Sequence, residues 1–364
     1  MGRMRTAVVG CLLVLLATAC GSGAEQSAPA TPLVGVILPD NSPTARWESQ
    51  DRPMLEQAFE FAGIEPVIEN AEGDEAKFSA IADRMIEKKV KVLMITPLTT
   101  EGGANIERKA KSAGITVINY DRISLGGQAD YYVSFDNLNI GELQAEGLLG
   151  CLGTKRNAQI IEIQGSPTDN SATLIADGQR RRLGPLYDDG TLKLVRSQAI
   201  EKWDAGLGST SFEQILDANN GKVDGVVAAN DDLAGGVIDV LRERGLAKKV
   251  AVTGQDATLP GLRALLLGEQ CVTIYKPIRD EANAAARLAI TLAKGDVTGA
   301  DDLATGNTRD LVARRDVKSV LLGADLITRD NVRQLVVTEN VVKPAELCAG
   351  EVAPICEQMG ILVN

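Results

Sequence analysis

The chain has 364 residues, a hydrophobic fraction of 45% and a formal charge of −11. That is enough apolar length for two domains with their own cores, and too much for a disordered chain. An acidic chain without basic blocks argues against nucleic acid as partner, and the absence of histidine removes Ser-His-Asp and Cys-His catalysis and most zinc sites.

Residues 1–19 read as a secretory signal: Arg3 and Arg5 precede an apolar run, 7–17, too short to span a bilayer. The run ends Ala17-Thr18-Ala19-Cys20-Gly21-Ser22-Gly23, which resembles a bacterial lipobox, with Ala17 where leucine is more usual. That resemblance implies cleavage before Cys20 and a diacylglycerol on its sulfur. The protein is then expected to be exported and held by lipid at the outer face of the cytoplasmic membrane, or in the periplasm; the alternative is an ordinary cleaved signal. Small, polar and proline residues make 20–32 a flexible tether. Losing residues 1–19 removes two arginines and no acids, so the charge becomes −11 − 2 = −13.

Of six cysteines, Cys11 lies in the signal and Cys20 at the lipobox. The other four sit in an exported, oxidising context. Cys348 and Cys356 are near neighbours and are expected to staple the tail, for about 2–3 kcal/mol by chain entropy. Cys151 and Cys271 then form a second bridge or remain two buried thiols. No CxxC spacing points to a metal, and no cofactor is expected.

From residue 33 onward, strand and helix patterns alternate. An apolar strand at 33–38 precedes a helix over 46–62 with Leu55, Ala58, Phe59 and Ala62 at helical spacing and Gly63 as its stop. A short strand at 65–69 leads to an amphipathic helix at 76–88, with Phe78, Ile81, Met85 and Ile86 on one face. A strand at 90–96, a helix at 102–113, and strands at 115–120 and 131–135 complete a first series, followed by a helix at 141–152. A second series has strands at 158–163, 193–198, 225–229, 250–253 and 272–275, with helices over 172–183, 212–219, 233–244, 260–268 and 279–293 between and after them. The spacing is that of βαβ units, whose right-handed crossovers make parallel sheets. The expected fold is α/β, with two similar lobes side by side. The stretch 299–364 is less regular, with a strand at 317–322 and a short helix at 331–336.

In open α/β sheets ligands sit beyond the carboxyl ends of the strands. The residues there have one character: Asp40-Asn41 and Arg46-Trp47, Asp121-Arg122, the run Gly165 to Ser171, Asn230-Asp231, Gln255-Asp256 and Lys276. Trp203 follows the strand at 193–198. Carboxylates and amides accept from hydroxyls while arginine, lysine and asparagine donate, and indoles stack on the apolar faces of a pyranose. Singly, each has a blander reading: Asn230 as the cap of 233–244, Asp256 as the cap of 260–268, Asp121-Arg122 as a surface ion pair. Together they fit a monosaccharide. No GxGxxG, P-loop or GxSxG is present. Glycoside hydrolysis by Asp121 and Asp256 is the enzymatic alternative, disfavoured because donors beside both would hold them ionised.

The marks Arg46-Trp47, Tyr120-Asp121-Arg122, Phe135-Asp136-Asn137, Gly165 to Asn170, Ala229-Asn230-Asp231, Gly254-Gln255-Asp256-Ala257 and Tyr275-Lys276-Pro277 resemble those of the type I periplasmic sugar-binding proteins of ABC transporters, D-xylose-binding group. The resemblance runs from about 33 to 347. It implies a clamshell of two Rossmann-like lobes joined by three crossovers, at Asp136-Asn137, at Lys276-Pro277 and near 318–322. The lobes would be 33–136 with 277–317, and 137–276 with 318–345, followed by a tail at 346–364.

By similarity, Arg46, Asp121 and Arg122 hold the sugar from the first lobe. Asp169, Asn170, Ser171, Asn230 and Asp256 lie on the second, Lys276 is at the hinge, and Trp47 and Trp203 sandwich the ring. Ser171 departs from the group, which usually has a longer asparagine there, and so does the stretch around Lys318 and Gly323-Ala324. Binders of several sugars share the Arg-Trp and Tyr-Asp-Arg marks, which leaves arabinose, glucose and galactose open beside D-xylose. The implied protein is a monomer and not an enzyme, and it passes its ligand to an ABC permease. The alternatives are a sensor that presents the bound sugar to a membrane kinase or chemoreceptor, and a repressor, for which the required basic N-terminal helix-turn-helix is missing.

Overall fold

Leu33–Leu38 is apolar at every position except Gly35, and Val92–Ile95 throughout. Such runs belong to strands covered on both faces. In the computed structural model, which describes residues 32–41, 46–338 and 341–361, both are central strands. The expected signal at 1–19, the Cys20 lipidation site and the tether as far as residue 31 lie outside the described residues.

Thirteen strands are described: β1 Leu33–Leu38, β2 Glu65–Asn70, β3 Val92–Ile95, β4 Thr116–Tyr120, β5 Tyr131–Phe135, β6 Ala158–Gln164, β7 Leu192–Ala199, β8 Gly225–Ala228, β9 Ala251–Val252, β10 Val272–Tyr275, β11 Gly306–Asp310, β12 Arg315–Leu322 and β13 Asp325–Thr328. The first sheet has the order β11-β12-β5-β4-β3-β1-β2, parallel except for the edge pair β11–β12. The second has the order β7-β6-β8-β9, all parallel, and β10 and β13 form an antiparallel pair. Both larger sheets reverse their order beside the first strand of each series, at β1 and at β6. Crevices for ligands form outside the carboxyl ends of the strands at such reversals.

Alternation along β1 sends Val34, Val36 and Leu38 to one face and Ile37 to the other. On the first face they meet Leu55 and Phe59 of the helix Arg52–Phe61 and Ala282, Ala285 and Ala289 of the helix Ile278–Ala293. On the second, Phe78, Ile81 and Met85 of Glu75–Glu87 join Ile106 and Ala110 of Thr100–Ser112. Each such large side chain contributes about 1.5–3 kcal/mol by leaving water.

The second sheet is sandwiched likewise. Ala145, Leu148 and Leu183 cover one face, and Phe212, Leu216, Val237 and Leu241 the other. The helices Asn137–Leu152 and Asn170–Asp188 cross closely at Gly141 and Gly178, where a Cβ on either glycine would strike a backbone carbonyl of the other helix. Both bridges are formed, Cys151–Cys271 and Cys348–Cys356. The tail is not loose: Leu347, Val352, Cys356 and Ile361 pack on Leu262, Leu265 and Leu266 of the helix Leu259–Leu267.

The chain leaves the first sheet after β5, returns through Lys276-Pro277 into Ile278–Ala293, and leaves again after β12. β12 pairs with β5 from Lys318 to Leu322, and the chain turns away at Gly323-Ala324, next to the residues near which the third crossover is expected from sequence. The expected helix 46–62 is divided into a π-helical turn, Trp47–Asp51, and the helix Arg52–Phe61, with Pro53 in its first turn. Pro53 lacks the N–H a continuing helix would use. β11 had no apolar signature to reveal it, since it reads Gly-Asn-Thr-Arg-Asp, a polar edge, and β13, Asp-Leu-Ile-Thr, has only two apolar residues to show.

Candidate functional site

A cavity of about 300 Å³ lies where the carboxyl ends of the two larger sheets face each other. Arg46, Trp47, Asp121 and Arg122 contribute to its wall after β1 and β4. Asp169, Ser171, Trp203, Asn230, Asp256 and Lys276 contribute after β6 to β10. Ten of the eleven binding residues chosen from sequence therefore meet. Asn170 is the exception: it is the first residue of Asn170–Asp188 and is not in the wall. Successive helical residues point about 100° apart, so Asn170 and Ser171 cannot both face one cavity squarely. A wider hollow of about 720 Å³ opens near the amino ends of β4 and β5, and none of the eleven residues lines it.

Arg46 anchors the first side. Its Nε and Nη2 each donate to Asp51 at 3.0 Å, Nη2 also to Glu281 at 2.7 Å, and Nη1 to Asp121 at 3.0 Å. The Tyr120 hydroxyl donates to Asp51 at 2.6 Å. The Arg46 guanidinium lies 4.1 Å from the Trp47 ring centroid, and Tyr120 meets that ring edge-on at 6.2 Å. Burial pushes the Asp121 carboxyl upward, but Arg46, Lys276 and Arg122 outweigh it and hold its pKa at about 2. It is a carboxylate at neutral pH, a hydrogen-bond acceptor with no proton to give as an acid.

The backbone of Asp121 is left-handed, φ 62°. Its carbonyl accepts from Ser134 Oγ at 2.8 Å and Tyr132 Oη at 3.1 Å, which hold the strained turn in place. Arg122 reaches across to Asp169 at 3.2 Å.

The second side is built from helix caps. Asp169 accepts from the Ser171 amide at 2.9 Å through one oxygen and from Trp203 Nε1 at 3.2 Å through the other. Asn230 accepts from the Leu233 amide at 2.9 Å, so its cap role is real, and its NH₂ is left to donate elsewhere. Asp256 caps nothing: Thr258 caps Leu259–Leu267, while Asp256 pairs with Lys276 at 3.0 Å. Burial lowers the Lys276 pKa, but Asp256 and Asp121 more than restore it, so Lys276 is a cation.

Left-handed backbone recurs at Lys202, Trp203, Asp256 and Ala257, with φ of 56°, 58°, 96° and 48°. Strain of this kind gathers at binding sites. Gly165 has no side chain because Trp203's indole occupies the space where a Cβ would stand.

Beside the cavity, the buried carboxylates Asp51 and Glu281 escaped the sequence reading, and Asp231, named there only with Asn230 at a strand end, is buried as well. Asp231 is the peg of the Asp256 loop, accepting from Thr258 N at 2.8 Å, Thr258 Oγ1 at 3.1 Å, and Gln270 Nε2 and Thr273 Oγ1 each at 2.8 Å. Burial, then Asp256, raises its pKa to about 7 and that of Asp232 to about 6. A signal did exist for the other two. Asp51 shares a helical stripe with Leu55 and Phe59, and Glu281 with Ala285, Leu288 and Ala289. An acid on an apolar stripe marks a buried charge that needs a partner.

Reversed parallel sheets facing each other across a polar cavity define a periplasmic binding protein of type I, and the chain belongs to that family: a periplasmic binding protein domain matches residues 34–296. Its relatives are specific. The chain is 35% identical to the D-xylose-binding periplasmic protein of Escherichia coli, over 86% of this chain and 92% of that one. It is 30% identical to the multiple sugar-binding periplasmic receptor ChvE of Rhizobium radiobacter, over 86% and 92%. A carbohydrate transporter solute-binding protein of Chloroflexus aurantiacus, solved with D-glucose, superposes with a TM-score of 0.77 at 26% identity, covering 87% of this chain and 98% of that one.

Proposed function

We propose that this protein is an exported monosaccharide receptor, with D-xylose as its sugar, that delivers its ligand to an ABC permease. The observation that carries the reading is the meeting, in one cavity of about 300 Å³, of charged donors, charged acceptors and two indoles drawn from the strand ends of both sheets. Asp121 and Asp256 accept from hydroxyls, Arg46, Arg122, Asn230 and Lys276 donate, and Trp47 and Trp203 take the ring faces. Ligand contacts to both halves favour the closed arrangement, because an equilibrium moves only by differential affinity. The names of the relatives support a sugar ligand and, most of all, D-xylose. Cys20 would carry the lipid that keeps a monomeric receptor at its membrane.

The test is a titration of the mature protein with D-xylose, L-arabinose, D-glucose and D-galactose, followed by tryptophan emission, with sugar uptake measured in a deletion strain. D-xylose is expected to give the tightest response, and uptake to fall. A protein that answers to none of the four is not the receptor proposed, and unchanged uptake with lost induction would make it a sensor.

A further inference from the structure

The three carboxylates around Arg46 share their donors unequally. Asp51 receives three hydrogen bonds, two from Arg46 and one from Tyr120. Asp121 receives Nη1 of Arg46 and lies in the field of Arg122 and Lys276 as well. Glu281 receives a single bond, from Nη2 to its Oε2, and its buried Oε1 has no hydrogen-bond partner among the described residues. The side chains of Asp51 and Glu281 are 0% exposed and that of Arg46 is 9%. One guanidinium shared among three carboxylates, two of them fully buried, is uphill unless a proton neutralises one of them. The partners select which: Asp51 accepts three hydrogen bonds, Asp121 has the charges of Arg122 and Lys276 beside that of Arg46, whereas Glu281 accepts once and has a buried oxygen to spare.

Building on the reading of the cavity as a sugar site, we propose that Glu281 is a neutral positioning residue. It bears a proton on Oε1, accepts from Arg46 through Oε2, and so fixes which edge of the guanidinium is turned to the cavity. Glu281 stands in the first turn of the helix that follows the Lys276-Pro277 passage, which ties the aim of Arg46 to one of the chain segments linking the two halves. Burial first, and then the Asp121 carboxylate, push its pKa well above the usual range, against the pull of Arg46 and Lys276. The groups that face it are Arg46, Asp51, Asp121, Lys276 and the hydroxyls of Tyr120 and Tyr132. Ionising Glu281 adds a buried anion that competes with Asp51 and Asp121 for Arg46, so affinity for the sugar falls as pH rises through its pKa.

Two measurements test this. Infrared difference spectra of the sugar-free protein, parent minus Glu281→Gln, read the proton directly and do not depend on the ligand. The undissociated carboxyl stretch is expected in the parent at neutral pH and missing from the variant. Calorimetric titration with D-xylose then compares parent, Glu281→Gln and Glu281→Leu. The glutamine keeps the acceptor and should bind within about threefold of the parent, with the alkaline loss of affinity gone. The leucine leaves an Arg46 donor unmet and should weaken binding about tenfold or more. A carboxylate band in place of the acid, a glutamine variant as weak as the leucine one, or a leucine variant that binds like the parent would each overturn the proposal. A parent that binds no D-xylose counts against the sugar reading, and the infrared result still decides the proton.

Discussion

The two walls of the cavity keep polar groups out of water by different means. On the first side charge answers charge: Arg46 pairs with Asp51 and Asp121 at 3.0 Å, and Glu281 completes its shell at 2.7 Å. On the second side the buried Asp231 has no ion-pair partner among the described residues and takes four hydrogen bonds from neutral donors. Asp169 and Asn230 accept from helix amides, and only Asp169 and Asp256, at the cavity, also meet a cation. The contrast teaches where each wall is fragile. A charge hub hangs on one residue, because removing the cation strands Asp51 and Asp121. A hydrogen-bonded peg spreads its support over several partners, none of which is indispensable.

The second side also carries both described bridges, and this sets the largest expected effect. Cys151 and Cys271 are 120 residues apart in sequence, so the Cys151→Ser, Cys271→Ser double variant should lose about 4–5 kcal/mol by loop entropy. Hydrogen exchange should show the loss in β6 to β10 and leave β1 to β5 protected. Equal loss in both regions would erase the distinction.

Next come the two hubs themselves. Arg46→Gln should destabilise by about 3–5 kcal/mol, as breaking a buried ion cluster does. Asp231→Asn, which keeps shape and part of the bonding, should cost only about 1–3 kcal/mol. Urea unfolding measures both, and the reverse ranking would break the comparison.

The smallest effect is the response to pH. Asp232, raised to about 6, binds its proton more tightly folded than unfolded. Its contribution to stability is therefore full below about 4 and is lost as pH rises through 6. Asp121, held at about 2, runs the other way: its contribution is full above about 4 and is lost as pH falls towards 2. Scanning calorimetry should find that Asp232→Asn flattens the slope between pH 4 and 6 and leaves the acid limb below 4 untouched. An unchanged slope would mean that Asp232 is not buried in this way.

Much of this was legible in the sequence, for a physical reason. Strands buried on both faces must be apolar throughout, and βα repeats fix their direction, so β1, β3, β4 and β8 announce themselves and their ends can be read for polar residues. What was hidden lay where that rule does not apply. β11 and β13 pair at edges and need no apolar run. Asn170 was drawn in by its neighbours, and helical rotation takes it out of the wall. Asp51 and Glu281 stand behind Arg46, inside helical stretches, and a strand-end reading sees only the front.

The central claim is that residues from both sheets act on one ligand. Calorimetric titration of Asp121→Ala and Asn230→Ala with D-xylose tests it most directly, since one comes from each wall. Each variant alone should lose about a hundredfold or more in affinity while staying folded. If either one binds D-xylose as the parent does, the two walls do not share a ligand and the account is contradicted.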